Sequence, residues 1–289
     1  MANGAKKVAV IGAGNVGATC AFVLAERKVG DVVLLDIYEG FAKGKALDMS
    51  QGGQVLNYDG RVTGTKDYAD IADSDVVVVT SGFPRQPGMT REDLIGKNAD
   101  IVSQVGEGIR QHAPNSIVVM VTNPLDLMTY HMQKVTGFEH SRVVGQAGIL
   151  DSARMTHFIA QAVGCSNEDV QAMVLGGHGD TMVPLPRYTT VNGIPVNQLL
   201  SDEEVEAICI RTASGGGEIV KLLEKGSAFY APGSAAAIMA EAILDDRKRV
   251  LPCSTYLSGE YGMDDIYIGV PVVLGRNGVE RIIELELAD

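Results

Sequence analysis

Cysteine is scarce in this chain: four among 289 residues, and Cys20, Cys165, Cys209 and Cys253 lie far apart with no CxxC spacing. Neither a zinc site nor a redox pair is indicated, and a reducing cytoplasm fits best. Excess positive charge is also lacking. The net charge of −12 and the pI near 4.9 exclude partners that need a basic surface, so neither a nucleic acid nor an anionic membrane is expected. An anionic substrate would need a local cluster of arginines. Low-complexity segments, internal repeats and linkers are missing too, and 46% hydrophobic with 21% charged residues is an ordinary soluble globular composition. The length suggests two domains, at ~100–200 residues each.

One long uncharged run is present. Residues 8–25 carry no charge and follow Lys6-Lys7, which suits a leader or a membrane span. Gly12, Gly14, Gly17, Asn15 and Thr19 make it a poor hydrocarbon segment. The better reading is a βαβ unit: an apolar strand, Gly12-x-Gly14-x-x-Gly17, a helix, and a second apolar strand closing on Asp36. Gly12 serves the tight turn, Gly14 the approach of a pyrophosphate, and Gly17 the packing of helix on strand. Unpaired N–H groups and the helix dipole favour an anion at that helix start. Asp36 lies 19 residues beyond Gly17, where a carboxylate can bond a ribose diol, which favours NAD over NADP.

Further along, a polar helix is expected around Gly40–Gln51 and strands at Arg61–Thr65, Asp75–Thr80, Ser116–Val121 and Arg142–Val144. Strands apolar throughout and alternating with helices imply a parallel sheet covered on both faces. Ser81–Met89 reads as a loop, feeding a helix capped by Thr90 that runs to about Gln111. The first domain should end near Gly145. Beyond it a helix at Leu150–Val163, a strand at Val170–Leu175, a hairpin within Pro184–Gly193, helices at Ser201–Leu223 and Ser234–Leu244, and short strands over Val250–Leu287 are expected.

Gly176-Gly177-His178-Gly179-Asp180 places a histidine on a glycine-rich turn directly after a buried strand. A turn histidine is ordinarily structural, and His112, His131, His140 and His157 are read as surface or helix-end residues. His178 is the candidate acid/base because of Asp151 and Arg154, which share a helix face at i,i+3. Asp151 would fix the ring tautomer and favour the imidazolium, while Arg154 offers a planar fork to a carboxylate. Taken alone, such a pair reads equally well as an i,i+3 surface salt bridge, common and worth little. Arg85 and Arg91 flank a stiff Pro-Gly turn after the strand at Asp75–Thr80, an arrangement that suggests a lid.

Together, GAGNVG with Asp36, PRQPGMTRED, TNPLD, LDSAR and GGHGD resemble, over nearly the whole chain, the lactate/malate dehydrogenase family, in particular its malate-using members of the lactate-dehydrogenase-like type. The resemblance implies an α/β fold: a doubly wound parallel (Rossmann) sheet over residues 1–145 and a second α+β substrate domain over 146–289. It implies an NAD-dependent oxidoreductase interconverting (S)-malate and oxaloacetate, with no metal, that self-associates as a dimer or tetramer. His178 would be the proton donor/acceptor with Asp151 its partner, and Arg154 would hold the 1-carboxylate. Arg91 would polarise the ketone as the lid closes. Asn123 would bond the substrate, and Ser227–Ser234 would wall the pocket. The expected cofactor set is Gly12, Gly14, Asn15, Val16, Gly17, Asp36, Asn98, Val121 and Asn123.

Arg85 stands where the family discriminates substrates, a position typically neutral in lactate-specific members. Its charge points the same way by itself: a dicarboxylate pairs both Arg85 and Arg154, whereas pyruvate strands one guanidinium. An unpaired buried charge costs about 3–5 kcal/mol. A lactate dehydrogenase and a catalytically silent dinucleotide-binding protein are the alternatives. Members of the family usually continue into a C-terminal amphipathic helix, so the stop at Asp289 is expected to reflect a truncation or a variant lacking it.

Overall fold

The computed structural model describes residues 6–83, 91–179 and 181–287, with the Arg91 side chain outside that description. Its first six strands are β1 (Lys7–Ile11), β2 (Asp31–Leu35), β3 (Val62–Thr65), β4 (Val76–Val79), β5 (Ile117–Met120) and β6 (Val143–Gly145). They run parallel in the order β3-β2-β1-β4-β5-β6, reversing direction of growth between β1 and β4. That reversal is the crevice where doubly wound sheets take ligands. The helices between them are α1 (Asn15–Glu26), α2 (Glu39–Leu56), α3 (Arg91–His112) and α4 (Leu125–Thr136).

Successive side chains of a strand face opposite ways, and both faces of this sheet are dry. Val8, Val10, Val76 and Val78 join a core with α1, α2 and a late helix, α7 (Tyr230–Leu244), whereas Ala9, Ile11, Val77 and Val79 join one with α3 and α4. Each fully buried valine contributes about 1.5–3 kcal/mol, so the uninterrupted Val76–Val79 run specifies a central strand.

The second half extends the same sheet. After α5 (Gly148–Val163) come β7 (Val170–Gln171), β8 (Val174–Gly176), β9 (Met182–Pro184), β10 (Thr190–Val191) and β11 (Ile194–Pro195), then α6 (Asp202–Leu223), α7, β12 (Arg249–Ser258), β13 (Asp264–Gly275) and β14 (Gly278–Ile282). β12 pairs antiparallel with β6, and β13, β8 and β9 follow outward.

Several expectations are corrected. The strand expected at Val170–Leu175 is two: β7 belongs to a small sheet with β10 and β11, and β8 to the large one. Both halves bury apolar residues, so hydrophobicity does not mark the break. The hairpin lies at β10–β11, where Asn192 and Gly193 both have positive φ. Instead of short strands after Val250, β12 and β13 form one long hairpin in which Pro252 sits opposite Pro271. Helix α7 begins at Tyr230, with Pro232 in its first turn where its missing N–H is no loss. The Thr90 cap lies outside the described residues.

Candidate active site

At the β1–α1 turn, Gly12 has φ +104°, and a Cβ there would lie 2.8 Å from the Thr80 hydroxyl oxygen. A Cβ on Gly17 would fall on the Gly12 carbonyl oxygen, so the close helix-on-strand packing requires that glycine. Gly14 differs: nothing lies within 4 Å of where its Cβ would be. It caps α1 without a side-chain bond, leaving the first N–H groups of the helix open beside that space. Asn15 is exposed there and Val16 half-buried.

Asp36 follows β2. Its carboxylate accepts the Ala13 N–H at 2.7 Å and the Tyr38 N–H at 3.0 Å, which holds it beside the glycine turn with lone pairs remaining for a diol. Lys45 on α2 is near enough to feel the Asp36 charge, although burial, the larger effect, lowers its pKa. Val121 continues β5 on the same edge, its N–H bonded to the Val79 carbonyl at 2.9 Å. An open cradle at a helix start next to an ordered carboxylate fits a dinucleotide.

Asn98 is used differently from the other members of the expected cofactor set. It is buried in α3; its Oδ1 accepts the Phe83 N–H at 2.6 Å, and its Nδ2 donates to the carbonyls of Asn123 at 2.6 Å and Phe83 at 3.3 Å. It therefore ties the segment leaving β4 to the one leaving β5, and so holds Asn123, whose side chain is exposed.

Where β8 turns toward β9, Gly176 and Gly179 adopt positive φ, which lets the chain fold tightly around His178. His178 Nδ1 stands 2.9 Å from Asp151 Oδ2, and Arg154 Nη1 stands 3.0 Å from Asp151 Oδ1. Asp151 is 2% exposed, so a single dry carboxylate orients both the imidazole and the guanidinium. Such a pair is far from the solvated i,i+3 bridge that the sequence alone would allow.

Two features escaped sequence reasoning. Arg154 lies along the backbone of α6, where Gly215 and Gly216 leave it room: a Cβ on Gly215 would be 3.2 Å from Arg154 Cδ, and one on Gly216 would be 3.4 Å from Nη2. Asp126, in the TNPLD motif, accepts the His178 backbone N–H at 3.1 Å. The run Ser214-Gly-Gly-Gly217 inside a helix was a signal for the first; the second has none beyond its motif. His131, half-buried in the middle of α4, is not idle: its Nε2 meets the Ser103 hydroxyl at 2.7 Å and joins α3 to α4. Arg85 lies outside the described residues, as does the Arg91 side chain. Among the described residues no cluster suited to a metal ion is present, and no helix is long and apolar enough to cross a membrane.

Comparison with known proteins follows this geometry. Residues 6–145 match the family model for the lactate/malate dehydrogenase NAD binding domain, and residues 149–289 match that for the lactate/malate dehydrogenase alpha/beta C-terminal domain. A malate dehydrogenase from Roseiflexus sp. (strain RS-1) is 58% identical over 283 residues, covering 98% of this chain and 92% of the relative. The apo malate dehydrogenase of Picrophilus torridus superposes with a TM-score of 0.95 at 48% identity, covering 99% of this chain and 91% of that one. A lactate dehydrogenase from Cryptosporidium parvum, solved with lactic acid and nicotinamide adenine dinucleotide, gives 0.95 at 44% identity, covering 99% and 92%.

Proposed function

The chain belongs to the lactate/malate dehydrogenase family, and from that premise we propose that it interconverts (S)-malate and oxaloacetate with NAD, using His178 as acid/base. The observation that carries this is the Asp151 carboxylate shared between His178 and Arg154. When bound, the oxidised cofactor would accept the hydride and its reduced form, NADH, would supply it; the remaining chemistry belongs to the chain.

With Nδ1–H committed to Asp151, Nε2 is the nitrogen left to exchange the substrate's hydroxyl proton. Arg154 pairs the carboxylate next to the reacting carbon, and its orientation is set before substrate arrives. Arg85 takes the second carboxylate and Arg91 polarises the ketone when the segment between β4 and α3 closes and excludes water. Asn123 bonds the substrate. Gly12, Gly14, Asn15, Val16, Gly17, Asp36 and Val121 hold the cofactor, and Asn98 contributes by fixing Asn123.

We place the boundary between the dinucleotide-binding and substrate halves at residues 145 and 146, between β6 and α5. Four free cysteines suit a cytoplasmic setting, and self-association as a dimer or tetramer completes the reading. The test is NADH oxidation with oxaloacetate and pyruvate in parallel, with His178→Asn as control. Oxaloacetate should be turned over faster by about 10²-fold or more, since one stranded guanidinium costs about 3–5 kcal/mol. Equal use of pyruvate would defeat the substrate assignment, and full activity of His178→Asn would defeat the acid/base assignment.

A further inference from the structure

We propose that Asp126 is a second positioning carboxylate of the acid/base site, holding the His178 turn in place and supplying a negative charge that favours the protonated imidazole. The proposal rests on His178 being the proton donor.

Asp126 stands in the first turn of α4, half-buried, and both its oxygens are engaged by distant segments. Oδ2 accepts the His178 backbone N–H at 3.1 Å; Oδ1 accepts the Ser254 hydroxyl at 2.7 Å. Three pieces of chain therefore meet at one carboxylate: the start of α4, the β8–β9 turn and the middle of β12. Beside this tie the turn is tight at Gly177, where a Cβ would clash with the Thr181 hydroxyl.

Tying these segments together requires no charge. An asparagine could accept the same N–H and donate to the same hydroxyl oxygen. Yet the residue is an acid in a place that resists ionisation: burial raises its pKa, opposed by the Ser254 and His178 hydrogen bonds. Among the described residues the charged groups facing it are His178, which its anion attracts, and Asp151 of α5, which repels it. Asp151 in turn divides its charge between His178 and Arg154; Ser254, on β12, is neutral. The ion that gains from an Asp126 anion is the imidazolium, the form that must donate a proton to a ketone. His178 is thus gripped twice, by its ring through Asp151 and by its backbone through Asp126.

The test is the pH profile of kcat/KM for oxaloacetate reduction by the whole chain and its Asp126→Asn, Asp126→Ser and His178→Asn variants. Reduction needs the protonated imidazole, so the rate falls as pH rises. Asp126→Asn keeps the hydrogen bonds and removes the charge. Its high-pH limb should move to lower pH by about half a unit or more, about a threefold loss of rate on that limb. A merely structural tie would leave the limb where it is, and coincident limbs for Asp126→Asn and wild type overturn the proposal. If Asp126→Asn fails to fold, Asp126→Ser, the smaller neutral replacement, decides: it too removes the charge, so its limb should move to lower pH by about the same amount, and an unmoved limb overturns the proposal. His178→Asn separates the two readings. Its near-wild-type turnover would defeat the acid/base reading and this proposal with it, whereas an inactive His178→Asn beside coincident limbs defeats the proposal alone.

Discussion

Arg154 rests on the bare backbone of Gly215, where a Cβ would stand 3.2 Å from its Cδ. Three consecutive glycines, Gly215 to Gly217, weaken a helix by about 1 kcal/mol each relative to alanine. Gly215→Ala should strengthen α6 while displacing the guanidinium, raising KM for oxaloacetate about tenfold and leaving NADH binding unchanged. Gly217 has no atom within 4 Å of its Cβ position. Gly217→Ala should raise Tm by about 2–3 °C with unaltered turnover. Calorimetry beside steady-state kinetics on the two variants checks both outcomes, and equal KM values would show that the guanidinium does not need the space.

Two glycines of the first turn should fail in opposite ways. Gly17→Ala drives a Cβ into the Gly12 carbonyl oxygen, an overpacking worth about 1–3 kcal/mol or more, and its Tm should fall by several degrees. Gly14→Ala meets nothing in the protein, so its melting should match wild type while NADH binding weakens. Fluorescence titration of NADH together with thermal melts distinguishes them. Tight NADH binding by Gly14→Ala would place the pyrophosphate elsewhere.

Arg85→Gln should reduce oxaloacetate use by about 10²- to 10³-fold in kcat/KM and leave pyruvate use unchanged or improved, because the dicarboxylate loses its second partner while the monocarboxylate no longer strands a charge. Parallel assays on the two keto acids measure the ratio. An unchanged ratio would mean that Arg85 remains solvated throughout the cycle.

Asp126 should also be visible in stability. Its folded-state pKa is raised, chiefly by burial, so its contribution is most favourable below the usual carboxylate range and is lost as pH rises through the raised value. Asparagine does not titrate. The Tm of Asp126→Asn relative to wild type should therefore climb as pH is taken from acid through that window to neutrality. A difference independent of pH would show that the carboxylate is not strained by its burial.

Legibility followed the range of the interactions. Val76–Val79 and Ile117–Met120 were evident as central strands because both of their faces are dry, leaving no polar alternation. The β12–β13 hairpin was not, because Pro252 and Pro271 look like strand breakers until they are seen opposite one another. His178, Asp151 and Arg154 could be gathered from two short motifs. Asn98 could be named, but its use as a clamp on Phe83 and Asn123 depends on where three segments meet.

By itself the sequence determined the dinucleotide turn, the parallel sheet and the candidate residues for the proposed reaction, since each depends on neighbours a few positions away: a glycine where φ must be positive, an unbroken valine run, an i,i+3 pair on one helix face. Tertiary structure alone decided how those residues are held. Asp126 reaches Ser254, 128 positions away, and Arg154 reaches the glycines of α6. Those contacts come from the packing of elements whose local patterns carry no record of their partners.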